Sequence, residues 1–427
     1  MARRLTAAMC LATLLHVGSA APAAESAIRA RAINVQTSIR GATQMFAAPW
    51  GLVAQGSGQL RILPLGASVW QTVHGVTGGS LYRIAFDDAG RLLAWWEKEP
   101  HFHLFVRGST KAHETFLLPP PPSPELKYGY GVEELKFTSD GRGAIVYMHG
   151  FIGGRTWVTV AYYYDLAHLA GPVMLFRQPG YSLNMSSRMA VFAIPKRPDD
   201  ACENNFCHPL GAVVAWEISG TKATQRVLLD GNARPEDLSR VQPVWSDDDN
   251  EQVAVLVTEH PSKRHLLRWR WGQSTATFAP LPRGPSSDAE AVWLTSTGDV
   301  IEVWLTDERG LEIRRHPPNG AMIVSSLAPL PRRTPHDHPL FNIAGVMERA
   351  GGDLFLHWGE YLVSLPLRGS ARRLDLRTAF KRNTEVSSRL LHVRSPEGIW
   401  VGLQSGKTLD MTFLPKADLE TQMTPAP

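Results

Sequence analysis

The side chains of this chain that could do chemistry are its histidines and one close pair of cysteines. His101, His149, His208, His260, His336 and His338 stand in segments between apolar runs, and basic pairs accompany them: Lys196-Arg197, Lys263-Arg264 and Arg332-Arg333. Neutral imidazole ligates metals, and its charge switches near neutral pH, so a convergence of these side chains would suit a metal or an anionic substrate. A zinc or manganese site would need about three or four of them at one point. His336-Asp337-His338 is the tight cluster among them. Cys202 and Cys207 are followed directly by His208, an order related to the C-x-x-C-H of haem attachment but with a longer gap.

Other signatures of catalysis are missing. The chain has no HExxH, no pair of carboxylates at catalytic spacing and no GxSxG elbow. Gly406-Lys407-Thr408 has the end of a phosphate loop, but Val401 stands where the first glycine is needed and a strand-like run follows instead of a helix. No catalytic residue, resident metal or cofactor is therefore assigned. The candidate ligand-binding residues are His101, His149, His208, Arg332, Arg333, His336 and His338.

The elements that must position these residues are strands. In VEELKFTSDGRGAIVYMH (132–149) an alternating segment enters the turn Ser139-Asp140-Gly141-Arg142 and a second apolar run leaves it, a strong hairpin signal. The same shape recurs at Trp50, Gly90, Gly141, Ser187, Asn250, Gly298, Gly352 and Gly398, about every 50 residues, the period of four-stranded propeller blades. Two more strand-like runs follow most hairpins, as TWVTVAYYY and PVMLFRQ follow the one above. The sequence predicts an all-β, eight-bladed propeller with four-stranded antiparallel blades; seven blades is the alternative.

The eighth unit has three strands and then runs into Pro, Lys and Asp, while AINVQTSI (32–39) is a spare strand ahead of the first unit. A ring must close or leave sheet edges bare. Residues 32–39 are therefore expected to pair with 408–414 as the outer strand of the last blade. The expected organisation is a signal peptide over 1–24, a single propeller over 25–414 and a disordered tail over 415–427. In such a ring the turns between first and second strands lie on one face. The connections that carry the histidines lie on the other, here called the loop face. LLPPPPSPELKYGYG (117–131) reads as a stiff crossover between blades, or as a lip over the central funnel.

Arg3-Arg4, the apolar run Leu5–Val17 and the small residues 18–24 form a secretory leader, with cleavage expected after Ala20 or Ala23. Its removal takes away two of the basic residues behind a net charge of only +4, so charge argues neither for nucleic acid nor strongly for an acidic partner. No later run reaches the ~18 apolar residues of a membrane span. In an exported protein, Cys202 and Cys207 read as one disulfide.

The turns TSDGR, DDAGR, SDDDN and Ser395-Pro396-Glu397-Gly398 resemble those of TolB-type and WD-like periplasmic propellers, although only the last keeps the proline. The resemblance implies a fold and an envelope location, periplasmic or secreted, and no particular activity. The expectation is a monomeric binding or scaffold module for a protein or polysaccharide of the cell envelope. Two alternatives stand beside it. One is a metal-dependent hydrolase or lyase using loop-face histidines. The other is an electron carrier, since Cys202–His208 also resembles the C-x4-C-H site of some multihaem cytochromes.

Overall fold

The fold is given by a computed structural model. It describes residues 37–426 apart from 57–58, 74–80, 198–201, 204–205, 208, 234–237, 247–250, 260–262, 286–288, 307–309, 329–342, 349–352, 359–360, 367–369, 376–386, 392–397, 406–407, 416–418 and scattered positions including 98, 154–155 and 420.

Turn chemistry starts each blade. In blade three Gly141 takes φ of +67°, which a Cβ would strain. Thr138 donates its hydroxyl to Asp140 Oδ1 at 2.6 Å and accepts from the Gly143 amide at 2.8 Å. Asp140 Oδ1 also accepts from the Arg142 amide at 3.0 Å. Thr295 and Gly298 (φ +86°) repeat the arrangement in blade six. These bonds satisfy the turn's own backbone and fix the register of the strands on either side.

Hydrogen bonding groups the described strands into eight sheets. Seven are blades of four antiparallel strands from one run of chain: residues 42–73, 81–117, 128–179, 181–230, 238–281, 291–327 and 343–375, here blades one to seven, with Trp245–Ser246 adding a short parallel pairing to Trp293–Leu294 of blade six. The eighth sheet is composite. Ser387–Leu391, Gly398–Ser405 and Thr408–Pro415 supply three strands, and Thr37–Arg40 supplies the fourth. The register runs from Thr37 opposite Met411 to Arg40 opposite Thr408. The seven units built from continuous chain match the seven-blade alternative and not the eight blades expected first; the composite sheet joins strands from the two sides of the chain and closes the ring. Residues 32–36 lie outside the described residues.

The apolar cores lie between sheets and follow one another in a cycle. Trp96 and Phe105 of blade two pack with Val53 and Leu60 of blade one, and Leu135 and Val146 of blade three pack with Phe102 of blade two. The cycle continues through the later blades to Val401 and Leu414 of the composite sheet against Phe355 of blade seven. It returns through Trp400 and Phe413 against Leu52 and Leu63 of blade one. Each face is thus buried only against its neighbour, and the array is an all-β propeller. First strands of successive sheets touch one another, so they line the axis. Fourth strands such as Ile323–Leu327 are largely exposed, so they form the rim.

One sequence expectation is corrected, and one of two open readings is chosen. The chain after 414 is not a disordered tail: Thr424–Pro425 pairs with Arg372–Arg373 as a fifth strand of blade seven, and Leu419 and Met423 are buried against the core between blade seven and the composite sheet. Those two apolar side chains are what hold it. The Pro-rich crossover between blades two and three is anchored by buried Leu126 in the core between those blades, so it sits between blades and not as a lip over the axis.

The cysteine excursion also has a place. Cys202–Glu203 and Phe206–Cys207 form a small antiparallel ladder in which Cys202 and Cys207 are direct partners. Phe206 pairs with Arg240 on the first strand of blade five. The other edge of that strand is taken by the blade itself, so the excursion from blade four lies on its axis side.

Candidate functional site

A cleft of about 560 Å³ opens on the loop face between blades two and three. Two connections and two strands build it. The end of the second strand of blade two and the turn beyond it bring Trp95, Glu97, Glu99 and Pro100; the crossover brings Leu118, Pro119 and Pro120. Gly129–Val132, early in the first strand of blade three, and Met148–His149 of its second strand supply the far wall. Gly131 lies opposite His149 across the ladder, and a Cβ on it would come 3.6 Å from the Trp95 ring. Prolines set the rim rigidly, and glycines leave the wall open.

The side chains around the cleft are held before any ligand arrives. Trp95 Nε1 donates to the Glu99 carbonyl at 2.9 Å, and the Glu99 carboxylate lies 3.2 Å from His103 Nε2. His103 Nδ1 is in turn 3.1 Å from Thr115 Oγ1. The His149 ring packs 5.1 Å from Trp157, and its Nδ1 is buried without a hydrogen-bond partner among the described residues. Burial holds the His149 imidazole below its usual pKa, with the Arg83 charge adding to it. Burial likewise pushes the Tyr130 phenol far above its usual range, reinforced by the Tyr162 hydroxyl 3.4 Å away. Near neutral pH His149 and Tyr130 are therefore uncharged. Among the described lining residues the charged side chains are Glu97 and Glu99.

Behind the cleft a polar node joins three blades near the axis. Arg83 of blade two donates to the Glu133 carbonyl of blade three. The Glu133 carboxylate accepts from Ser182 of blade four at 2.7 Å and from Thr159 at 3.4 Å. Burial raises the Glu133 pKa, against the opposing pull of these hydroxyls and of Arg83.

Of the sequence candidates, His149 lines the cleft. His101 opens the third strand of blade two, half-buried and paired with Leu117, and does not line it. His208, Arg332, Arg333, His336 and His338 lie outside the described residues. Several expected loop-face charges are already engaged. Lys263 pairs with Glu259 at 2.8 Å, and Arg264 is turned inward to fully buried Glu302 and lies 5.0 Å over the Trp304 ring. Among the described residues no three His, Cys, Asp or Glu side chains gather to hold a metal ion. Sequence reasoning missed Trp95, Glu133 and Arg83; the signal for the cleft was the Pro-rich segment 117–131, which ends in Gly129-Tyr130-Gly131.

The cleft's described lining offers aromatic and aliphatic walls, two carboxylates and neutral hydrogen-bonding groups, the make-up of a recognition pocket. No family model matches the chain, and no curated protein matches it. Solved structures resemble it distantly. Virginiamycin B lyase from Staphylococcus aureus is 13% identical, over 79% of this chain and 96% of that one, with a TM-score of 0.36. YCF48 from Cyanidioschyzon merolae is 11% identical over 88% and 98%, with a TM-score of 0.42. The WD40 domain of SCAP from fission yeast is 8% identical over 89% and 97%, with a TM-score of 0.44. Likeness at this level carries no argument here, and the assignment as a propeller rests on the chain's own strand pairing.

Proposed function

We propose that this chain is an exported propeller of the cell envelope that acts as a binding module, docking a partner protein through the loop-face cleft between blades two and three. The observation that carries the reading is the cleft itself. It is rigid-walled, largely apolar and open, and it lies where two connections of the ring meet the first two strands of blade three. Its chemistry is that of recognition, and the leader-like residues 1–24 favour export.

A photo-crosslinking residue placed at exposed Pro120, beside the cleft, should capture an envelope protein in cells. The same residue at exposed Asp140, on the opposite face, should capture none. Crosslinks from Asp140 only would move the docking face to the turns. Capture of glycan and no protein from Pro120 would replace the partner with a polysaccharide. The purified protein's mass should lack residues 1–20 or 1–23, and a full-length mass would remove the export proposal.

A further inference from the structure

We infer that the cleft takes the side chain of a lysine or arginine presented by an extended segment of the partner. The inference rests on the docking reading above and deepens it.

The described lining residues have a division of labour. Trp95, Leu118, Val132, Met148 and Tyr130 form apolar and aromatic walls, while Glu97 and Glu99 stand at the turn beyond the second strand of blade two. A basic side chain has the same division, with an apolar stem three or four carbons long and a charged head. The stem belongs against the walls, the head belongs with the carboxylates, and aromatic faces attract the cation in addition.

The titratable groups around the cleft agree with this. His149 is held neutral by burial and by Arg83, so it places no repelling charge in the cleft near neutral pH. Tyr130 stays a neutral phenol. Glu99 is positioned from two sides: its backbone carbonyl accepts from Trp95, and its carboxylate meets His103. Glu97 is exposed. An anionic ligand would meet carboxylates at this turn, and a wholly apolar one would leave them unused. A polysaccharide could stack on the aromatics, but it would bring no charge to answer the two glutamates.

The test compares blocked peptides that hold one central Lys or Arg between apolar residues with otherwise identical peptides carrying acetyl-lysine or citrulline. Those neutral side chains keep the length and lose the charge. Calorimetric titration of the full mature chain should show the charged peptides binding at least about tenfold more tightly than their neutral counterparts. Glu97→Gln and Glu99→Gln should each erase much of that ratio, and binding should weaken as salt rises. A filling variant, Gly131→Leu, with its melting curve checked against the wild type, should abolish binding of every peptide. Equal affinity for charged and neutral peptides, still lost in Gly131→Leu, would overturn the cation and leave the cleft reading standing. Binding unaffected by a folded Gly131→Leu would overturn both.

Discussion

Buried Glu302 and half-buried Glu133 show how the same side chain acts in opposite ways. Glu302, fully buried between blades five and six, sits 2.9 Å from His316 Nε2 and is paired with Arg264. Burial alone would raise its pKa, but the His316 hydrogen bond and the Arg264 charge outweigh it and hold the carboxyl below its usual range. Its ionised form therefore stabilises the fold above the ordinary carboxylate pKa, and that stability is lost as pH falls through the depressed value. Glu133 is the reverse case, with burial keeping its pKa raised. Its contribution is present below the ordinary pKa and is lost as pH rises through the raised one. Two variants should separate accordingly. Glu302→Ala leaves Arg264 without its buried partner and should cost about 3–5 kcal/mol near neutral pH. Glu133→Gln keeps an oxygen for Ser182 and removes the buried charge. Its urea midpoint near pH 7 should match or exceed the wild type, and its stability should change less than the wild type's as pH rises above the ordinary carboxylate pKa. A Glu133→Gln loss as large as that of Glu302→Ala would contradict the assignment.

At the level of elements, the C-terminal segment and the cysteine ladder are held very differently. Leu419 and Met423 fill the core beside the composite sheet, and the Arg372 guanidinium donates to the Met423 carbonyl at 2.6 Å. Burying two such side chains is worth roughly 1.5–3 kcal/mol each. Deleting residues 416–427 should therefore lower the melting midpoint by several degrees, and an unchanged midpoint would mean the segment is not seated. We keep the Cys202–Cys207 disulfide as a proposal. Direct antiparallel partners have Cα atoms about 4.5–5.5 Å apart, within the usual disulfide span. Peptide mapping without reductant should recover the two cysteines as one cystine. Free thiols, or thioethers to haem in material made with haem-maturation machinery, would refute it. Reduction should increase hydrogen exchange only around residues 196–210, because so short a loop restricts little of the unfolded chain. The turns were legible in advance because Thr138, Asp140 and Gly141 satisfy one another within a few residues. The links between turns were not. Arg91 Nη2 donates to the Gly141 carbonyl at 2.6 Å, and a Cβ on Gly141 would come 2.5 Å from that nitrogen, so the glycine also makes room for a side chain 50 residues away. Arg264 likewise read as a loop charge because nothing in its local sequence announces Glu302.

For the whole molecule, the governing fact is that Thr37–Arg40 and three strands between residues 387 and 415 build one sheet. The composite sheet packs on blade seven through one core and on blade one through another, so it is the joint of the ring. The period of the hairpins and the spare strand near the N-terminus made this legible. The fifth strand of blade seven stayed hidden, because Thr424 and Pro425 carry no strand signal of their own. If closure, and not the identity of the sheet that closes, holds the ring, the joint should be movable. Gly220, at the exposed turn between the third and fourth strands of blade four, has φ of +57° and nothing within 4 Å of a Cβ position. A permutant joining residue 427 to residue 32 through a flexible linker of about ten residues, with new ends between Gly220 and Thr221, would make blade four composite and the present joint continuous. It should keep the wild-type circular dichroism and melt within a few degrees of it. Deleting residues 25–40 should instead bare the edge of Thr408–Pro415 and give concentration-dependent aggregation. A permutant that fails to fold, beside a deletion that melts like the full chain, would show that the ring is held by its individual blade cores and not by the meeting of its ends.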